Sequence, residues 1–369
     1  MKNLTLEIMI IMLIFSVGCN KNENIYFNGK INLIELPKNS DYLKGELIEL
    51  EGIYTGRFIA YDSLILFFSA KFPKQLMSAF NLQSKKHVGY FCDKGHGPND
   101  FFEVEICNLL IKNNQLFLWL HGFNEQKMAL LNITQSINTQ LTKYDSIFNH
   151  EWRNKFIMPS IFTFALEDNK ILAKWQTNPV FFPNKPPRAV SNYFLIDKSK
   201  NDTISYIIHN KPILKEWIFS ACFFSSVDKI KPDNKKIAMC MEFMSQLNIL
   251  NIETGDLIGI RHKNTPDYKY FEKEQEIYRW YYSHLSVDND FIYGLYRNLI
   301  INENFFNHDF STNEIHIYDW DGNLIRRVFL DKKVDQITLD LNSKNKILYA
   351  YSNENEELYA YDVSAYYKK

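Results

Sequence analysis

The chain has 369 residues, 46% of them hydrophobic and 15% aromatic, and its formal net charge is −1. That apolar content supports a packed core and excludes a disordered chain. Lys and Arg are scattered rather than massed, so the electrostatic footprint of a nucleic-acid binder is missing.

Residues 1–19 differ from the rest. Lys2 supplies positive charge, Ile8 to Val17 form an apolar core, and Ser16-Val17-Gly18-Cys19 end it. This length fits a secretory h-region and is too short for a membrane span. Small residues before a cysteine resemble the lipobox of bacterial lipoproteins, although Ser16 stands where Leu is usual and Glu7 sits at the edge of the apolar core. The resemblance implies cleavage before Cys19 and lipidation of that residue, with residues 20–28 as a polar tether. It also implies an exported protein held to the membrane by acyl chains, in the cell envelope and at the outer membrane, on its periplasmic or surface side. No apolar run of the remaining chain reaches the roughly 18 residues of a spanning helix, and the body is expected to be soluble.

Beyond Cys19 the cysteines are Cys92, Cys107, Cys222 and Cys240. A hairpin turning at Asp233-Asn234 sets Val227, not Cys222, opposite Cys240, which argues against a bridge between the two. Cys92 and Cys107 flank a Gly-rich loop and are read as buried thiols or as a pair. No Cys-x-x-Cys occurs, so zinc and thioredoxin-type chemistry have no support.

A turn followed by an apolar run recurs along the chain. It begins at Asp62, Asn113, Asp168, Asp233, Asp288 and Lys344, a spacing of roughly 50 to 65 residues that suits a propeller repeat. Strands with alternating apolar positions follow, among them Asn192–Lys198, Leu247–Asp256 and Leu358–Asp362. Their Asp, Asn and Gly turns supply the positive-φ positions that tight hairpins need. The most regular copy is Ser286–Leu330, which with the strand leading into Asp288 makes four antiparallel strands in a row, the unit of a propeller blade. Alternation and β-branched and aromatic content exclude a helical reading. The expected fold is all-β: one six-bladed β-propeller over residues 29–369, with four-stranded antiparallel blades. Lys30–Leu36 (KINLIEL) is spare at the start and the last copy is one strand short, so the N-terminal strand is expected to close the ring.

One short segment is more specific. Gly95-His96-Gly97-Pro98-Asn99-Asp100-Phe101 resembles the Gly-x-Gly-Pro-x-Glu-Phe signature of the TolB-like six-bladed propeller lipoproteins of Bacteroidetes, with Asp100 for the usual Glu and Asn99 where Gly is frequent. The resemblance implies a link between the outer strand of one blade and the inner strand of the next. Gly95 and Gly97 would allow a tight reversal, Pro98 would stiffen it, and Phe101 would plug between blades. It implies a fold rather than an activity.

In a blade with strands a to d, the a–b and c–d turns lie on one face and the b–c and d–a connections on the other. The long insertions fall in the second class: Gln176–Ser191 and Asn298–Asn313 as b–c loops, Lys263–Ser283 and Tyr144–Ser160 as d–a connections. That face is the expected binding face. Its candidate ligand-binding residues are Arg188, Tyr268, Tyr270, Trp280 and Tyr281, since aromatics and Arg populate recognition surfaces. The same rings could instead pack the insertions onto the propeller. The ends of the b strands (Lys71, His121, Trp175, Glu242, Arg297 and Asn353) are expected at the channel mouth, as ligand groups or as a solvated rim. Of these, Trp175, His121 and Arg297 are the candidates for ligand contact.

Catalytic patterns are missing: no His-Glu-x-x-His, Gly-x-Ser-x-Gly, phosphate loop or EF-hand. The expected function is therefore a lipid-anchored binding or scaffold module for a peptide, glycan or protein partner, with no cofactor. The alternative is a metal-assisted hydrolase or lactonase-like enzyme, with a metal at the propeller axis. It requires several Asp, Glu, Asn or His side chains converging there.

Overall fold

A computed structural model describes residues 26–52, 54–122, 124–150, 163–167, 169–176, 191–200, 202–207, 224–270, 279–300, 311–342 and 345–368. The leader, Cys19, Cys222 and Arg188 lie outside the described residues, as does the side chain of Trp175.

Three short strands come first: β1 (Lys30–Ile34), β2 (Asp41–Leu43) and β3 (Glu46–Ile48). Blade 1 is β4 (Arg57–Tyr61), β5 (Leu64–Phe68), β6 (Gln75–Asn81) and β7 (His87–Asp93). Blade 2 is β8 (Glu105–Lys112), β9 (Gln115–Gly122), β10 (Lys127–Asn132) and β11 (Tyr144–Asn149). Blade 3 is β12 (Thr163–Ala165), β13 (Lys170–Gln176), β14 (Ser191–Asp197) and β15 (Asp202–Ile207). Blade 4 is β16 (Ser226–Ile230), β17 (Lys236–Met241), β18 (Gln246–Asn251) and β19 (Leu257–His262). Blade 5 is β20 (Arg279–Val287), β21 (Phe291–Ile300), β22 (Thr312–Asp319) and β23 (Leu324–Val334). Blade 6 is β24 (Gln336–Leu339), β25 (Ile347–Ser352) and β26 (Glu357–Asp362), with β3 as its fourth strand.

Each of the six turn-plus-run signals marks an a–b hairpin. The physical reason is two-sided burial. A b strand is covered by a neighbouring blade on each face, so it reads as a continuous apolar run instead of alternating. In β5 (LILFF) four of the five residues are buried, and in β17 (KIAMCM) all but the first. The turns that precede these runs hold Asp62, Asn113, Asn114, Asn169 and Asn234 in the left-handed region, which Asn and Asp tolerate better than other side chains.

The ring closes differently from the expectation in one respect. The N-terminal chain does complete blade 6, but through β3, paired antiparallel to β26 with Leu47 opposite Tyr359. Lys30–Ile34 of the KINLIEL segment instead adds to blade 4 in parallel, Lys30 opposite Ile258 and Ile34 opposite His262. β2 then adds in parallel to β23 of blade 5. The N-terminal chain thus runs round the outer rim of three successive blades. Alternation marks a strand that covers a rim as well as one that completes a sheet, so the pattern of KINLIEL could not distinguish the two. Tyr26 and Phe27, within the stretch read as tether, are buried in the cluster between blades 3 and 4.

Blade 2 carries a second departure. Its c–d connection includes a helix, α1 (Ile133–Thr139), whose N-cap Asn132 accepts from Gln135 N and whose C-cap Gln140 is left-handed. Tyr144–Asn149, read as part of a d–a connection, is therefore the outer strand of this blade. Likewise Arg279–Ser283 belongs to β20 and not to the preceding insertion. Opposite Cys240 stands Val227, as the hairpin arithmetic required, and Cys92, Cys107 and Cys240 are buried free thiols. Among the described residues no helix is long and apolar enough to cross a membrane.

Candidate functional site

The blades are joined by polar groups as well as by their apolar faces. Most of these contacts come from the a strands and the d–a links just before them. Arg57 of blade 1 pairs with Glu105 of blade 2 and donates to Val104 O. Asn108 of blade 2 donates to Ala165 O and accepts from Ala165 N in blade 3. Lys174 of blade 3 meets Asp228 of blade 4 at 2.9 Å, with both side chains at most 1% exposed. Between blades 5 and 6, Leu339 N donates to Ser286 Oγ, and Arg297 lies 3.9 Å from Asp335 in the link to β24. Gln336 of blade 6 reaches Gly56 O at the entry to blade 1. Desolvated groups of this kind require partners, and here the partner is usually supplied by the next blade.

Of the b-strand ends predicted at the channel mouth, His121 and Arg297 take part in this stitching. His121 is buried, with its Nε2 3.1 Å from His150 Nε2 and its Nδ1 3.2 Å from Thr163 Oγ1. Burial lowers its pKa to about 4, and burial together with His121 lowers that of His150 to about 3. Both rings are therefore neutral at neutral pH. Glu242 accepts from Ser225 Oγ, and burial raises its pKa. Asn353 N donates to Asp335 Oδ2. Lys71 is exposed.

Of the aromatic candidates, Tyr268 and Tyr281 are each 1% exposed and sit in blade cores. Tyr268 stacks on Phe27 at 6.3 Å and Tyr270 packs against the same cluster. Trp280, like Tyr270, is partly exposed. Arg297 lies over its ring at 4.9 Å, Phe243 abuts it at 6.1 Å, and its indole N–H donates to Tyr282 O. Cation–π stacking and the Asp335 pair hold Arg297 in place. Trp280, Arg297 and Phe243 thus make a rigid aromatic–cationic patch on the face that bears the b–c and d–a connections.

The motif loop lies between β7, the outer strand of blade 1, and β8, the inner strand of blade 2. Phe101 is fully buried between blades 1 and 2, beneath the Lys127 ammonium at 4.4 Å. Lys127 also donates to Pro98 O and Asp100 O. The need for Gly95 and Gly97 is steric. Asp100 Oδ2 accepts from Gly97 N at 2.9 Å, and a β-carbon on either glycine would fall 2.6 Å from that oxygen. The left-handed residue nearby is Cys92, with φ 64°.

A cavity of about 130 Å³ occupies the axis, lined by the a strands of blades 1, 2, 4, 5 and 6. Most of its wall is apolar, with Lys229 and His284 as its ionisable basic groups. Neither residue was read from the sequence; a lysine inside the otherwise ordinary strand SVDKI is the signal that marked one of them. Among the described residues no group of three or more His, Cys, Asp or Glu is placed to hold a metal ion.

A family model described as TolB-like 6-blade propeller-like matches residues 191–361. The chain is a six-bladed β-propeller, and over those residues it is similar to the TolB-like family. A crystal structure of a DUF4221 family member from Bacteroides vulgatus is similar over 89% of this chain and 94% of its own, at 11% identity and a TM-score of 0.52. The calcium-binding protein regucalcin from Agrobacterium tumefaciens covers 88% of this chain and 96% of its own, at 10% identity and a TM-score of 0.47. No curated protein sequence matches the chain. At 11% identity the likeness to the DUF4221 structure concerns the fold alone.

Proposed function

We propose that this TolB-like propeller is an exported, lipid-anchored binding module that holds a peptide, glycan or protein partner on its b–c/d–a face. The observation that carries the reading is the one-sidedness of the connections. Residues 150–162, 177–190, 208–225, 263–278 and 301–311 all join strand ends on that face. The opposite face is closed by turns such as 62–63, 113–114, 252–256 and 320–323, with α1 as its main addition. A rigid scaffold that concentrates its variable-length segments on one side is arranged for recognition there. The Trp280–Arg297–Phe243 patch has the composition of an interaction hot spot, and the inter-blade pairs beneath it keep the platform fixed without a ligand.

Anchoring is the second half of the proposal and rests on the leader and Cys19. Metabolic labelling with a palmitate analogue, followed by membrane fractionation, tests it: the wild type is labelled and sediments with membranes, and Cys19→Ala is neither. For binding, partners recovered with the wild type are compared with those recovered with Trp280→Ala and with Asp321→Ala on the opposite face. The proposal requires a partner that Trp280→Ala loses and Asp321→Ala keeps. Equal recovery by both variants would contradict it.

A further inference from the structure

The axial cavity sits apart from the loop-rich face and has its own chemistry. Its wall is mostly hydrocarbon, from Ile59, Ile106, Leu109, Leu285, Ile337 and Leu339 among others. The lining begins beside Phe58, one residue inside the Arg57–Glu105 pair, and extends to Pro232, Asn234 and Leu341 at the a–b turns. The cavity therefore reaches the a–b turns.

Lys229 and His284 stand together in this cavity. Lys229, between the buried Asp228 and Ile230 of β16, lines the axial cavity. No described residue hydrogen-bonds or ion-pairs with its ammonium, whereas Lys174, Arg297 and Lys127 each have such a partner. His284 accepts from Ile337 N on Nδ1 at 3.4 Å. A neutral imidazole that accepts on Nδ1 carries its proton on Nε2, and burial with the nearby Lys229, Arg297 and Arg57 keeps the ring neutral by lowering its pKa to about 3. Its Nε2–H has no protein acceptor among the described residues. An ammonium and an N–H donor without partners, in a mostly apolar cavity, are complementary to an anionic head carrying a short hydrocarbon tail. Arg57 adds to the positive field around Lys229, and Glu105, which Arg57 pairs, partly offsets it.

We propose that the axial cavity is a binding site for a short-chain monocarboxylate, its carboxylate on Lys229 Nζ and His284 Nε2 and its tail along the apolar shaft toward the turn face. A charge-assisted hydrogen bond from Lys229 supplies most of the affinity, and the hydrocarbon wall excludes more strongly hydrated anions. A cavity needs about 10–15 Å³ to hold one water, so 130 Å³ accommodates a chain of a few carbons.

Titration calorimetry of the intact chain with hexanoate and with hexanol, an uncharged molecule of similar length, tests this. Hexanoate is expected to saturate one site and to bind at least tenfold more tightly than hexanol. Lys229→Met should weaken hexanoate at least tenfold and His284→Leu by less. Lys229→Met removes a charge with no ion-pair partner among the described residues, so its melting temperature should be no lower than the wild type's; Lys229→Gln serves as a second variant. Equal binding of hexanoate and hexanol, undiminished binding by both Lys229 variants, or acetate binding as tightly as hexanoate would each overturn the assignment. The wild-type comparison needs no variant to fold, and neither arm involves the loop-rich face.

Discussion

Lys174→Met tests the polar stitching where it is most deeply buried. Lys174 Nζ lies 2.9 Å from Asp228 Oδ2 and 2.7 Å from Ser226 Oγ. Asp228 also accepts from Tyr193 OH at 2.5 Å and Ser226 Oγ at 2.6 Å. Burial and the neighbouring Asp228 raise the Tyr193 pKa well above the ordinary tyrosine value, so this hydroxyl stays a donor. Removing one partner of a buried pair typically costs about 3–5 kcal/mol. Two donors to the carboxylate survive here, each worth about 1.5–3 kcal/mol when the acceptor is charged. The loss should therefore fall near the lower end, about 3 kcal/mol. Lys174→Met combined with Asp228→Asn removes the stranded charge while keeping an acceptor for Tyr193, and should recover at least about 1 kcal/mol of that loss. Urea denaturation followed by tryptophan fluorescence gives both numbers. A single variant within 1 kcal/mol of the wild type, or strictly additive losses, would refute the reasoning.

Phe101→Ala empties a fully buried site between blades 1 and 2 and should cost about 3–5 kcal/mol, read as a lowered melting temperature; an unchanged melt would show that the motif phenylalanine is not the plug. Leu47 and Tyr359 are directly paired, so the Leu47→Cys, Tyr359→Cys variant should oxidise to an intramolecular disulfide, whereas Ile31→Cys with Tyr359→Cys should not; the reverse result would restore KINLIEL as the closing strand. His121, His150, His262 and His284 are held neutral by burial, with pKa values lowered to about 4, 3, 3 and 3. The unfolded chain takes up their protons below about pH 6.5 and the folded chain does not, so stability is full above that pH and falls toward pH 4 by at most about 1.4 kcal/mol per histidine per pH unit. Denaturation midpoints at pH 7.5 and 5 measure this, and a midpoint that holds or rises at pH 5 would count against it.

The blade repeat was legible because two-sided burial makes every b strand an apolar run and every a–b turn a cluster of Asn and Asp. The motif loop was legible because Phe101 and the two glycines are adjacent in sequence. The rim strands were harder to place. Three-residue strands such as β2 and β3 carry too little pattern, and their partners lie more than 280 residues away in the chain. Helix α1 was missed for the same lack of pattern: ITQSINT is seven residues, with only Ile133 and Ser136 buried. The axial groups were illegible for a different reason. Arg57, Glu105, Lys229 and His284 come from four blades, and only the closing of the ring brings them near one another. Tyr268 and Tyr281 read as surface aromatics because they border insertions, yet packing on the propeller claims both.

The central claim is that recognition occurs on the b–c/d–a face. Site-specific photo-crosslinking in intact cells tests it most directly, with the reactive amino acid placed at exposed positions Lys71 and Glu354 on that face and Glu253 and Asp321 on the other. Discrete adducts from the first pair and none from the second are expected. Adducts from Glu253 and Asp321 alone, or equally from all four positions, would contradict the account.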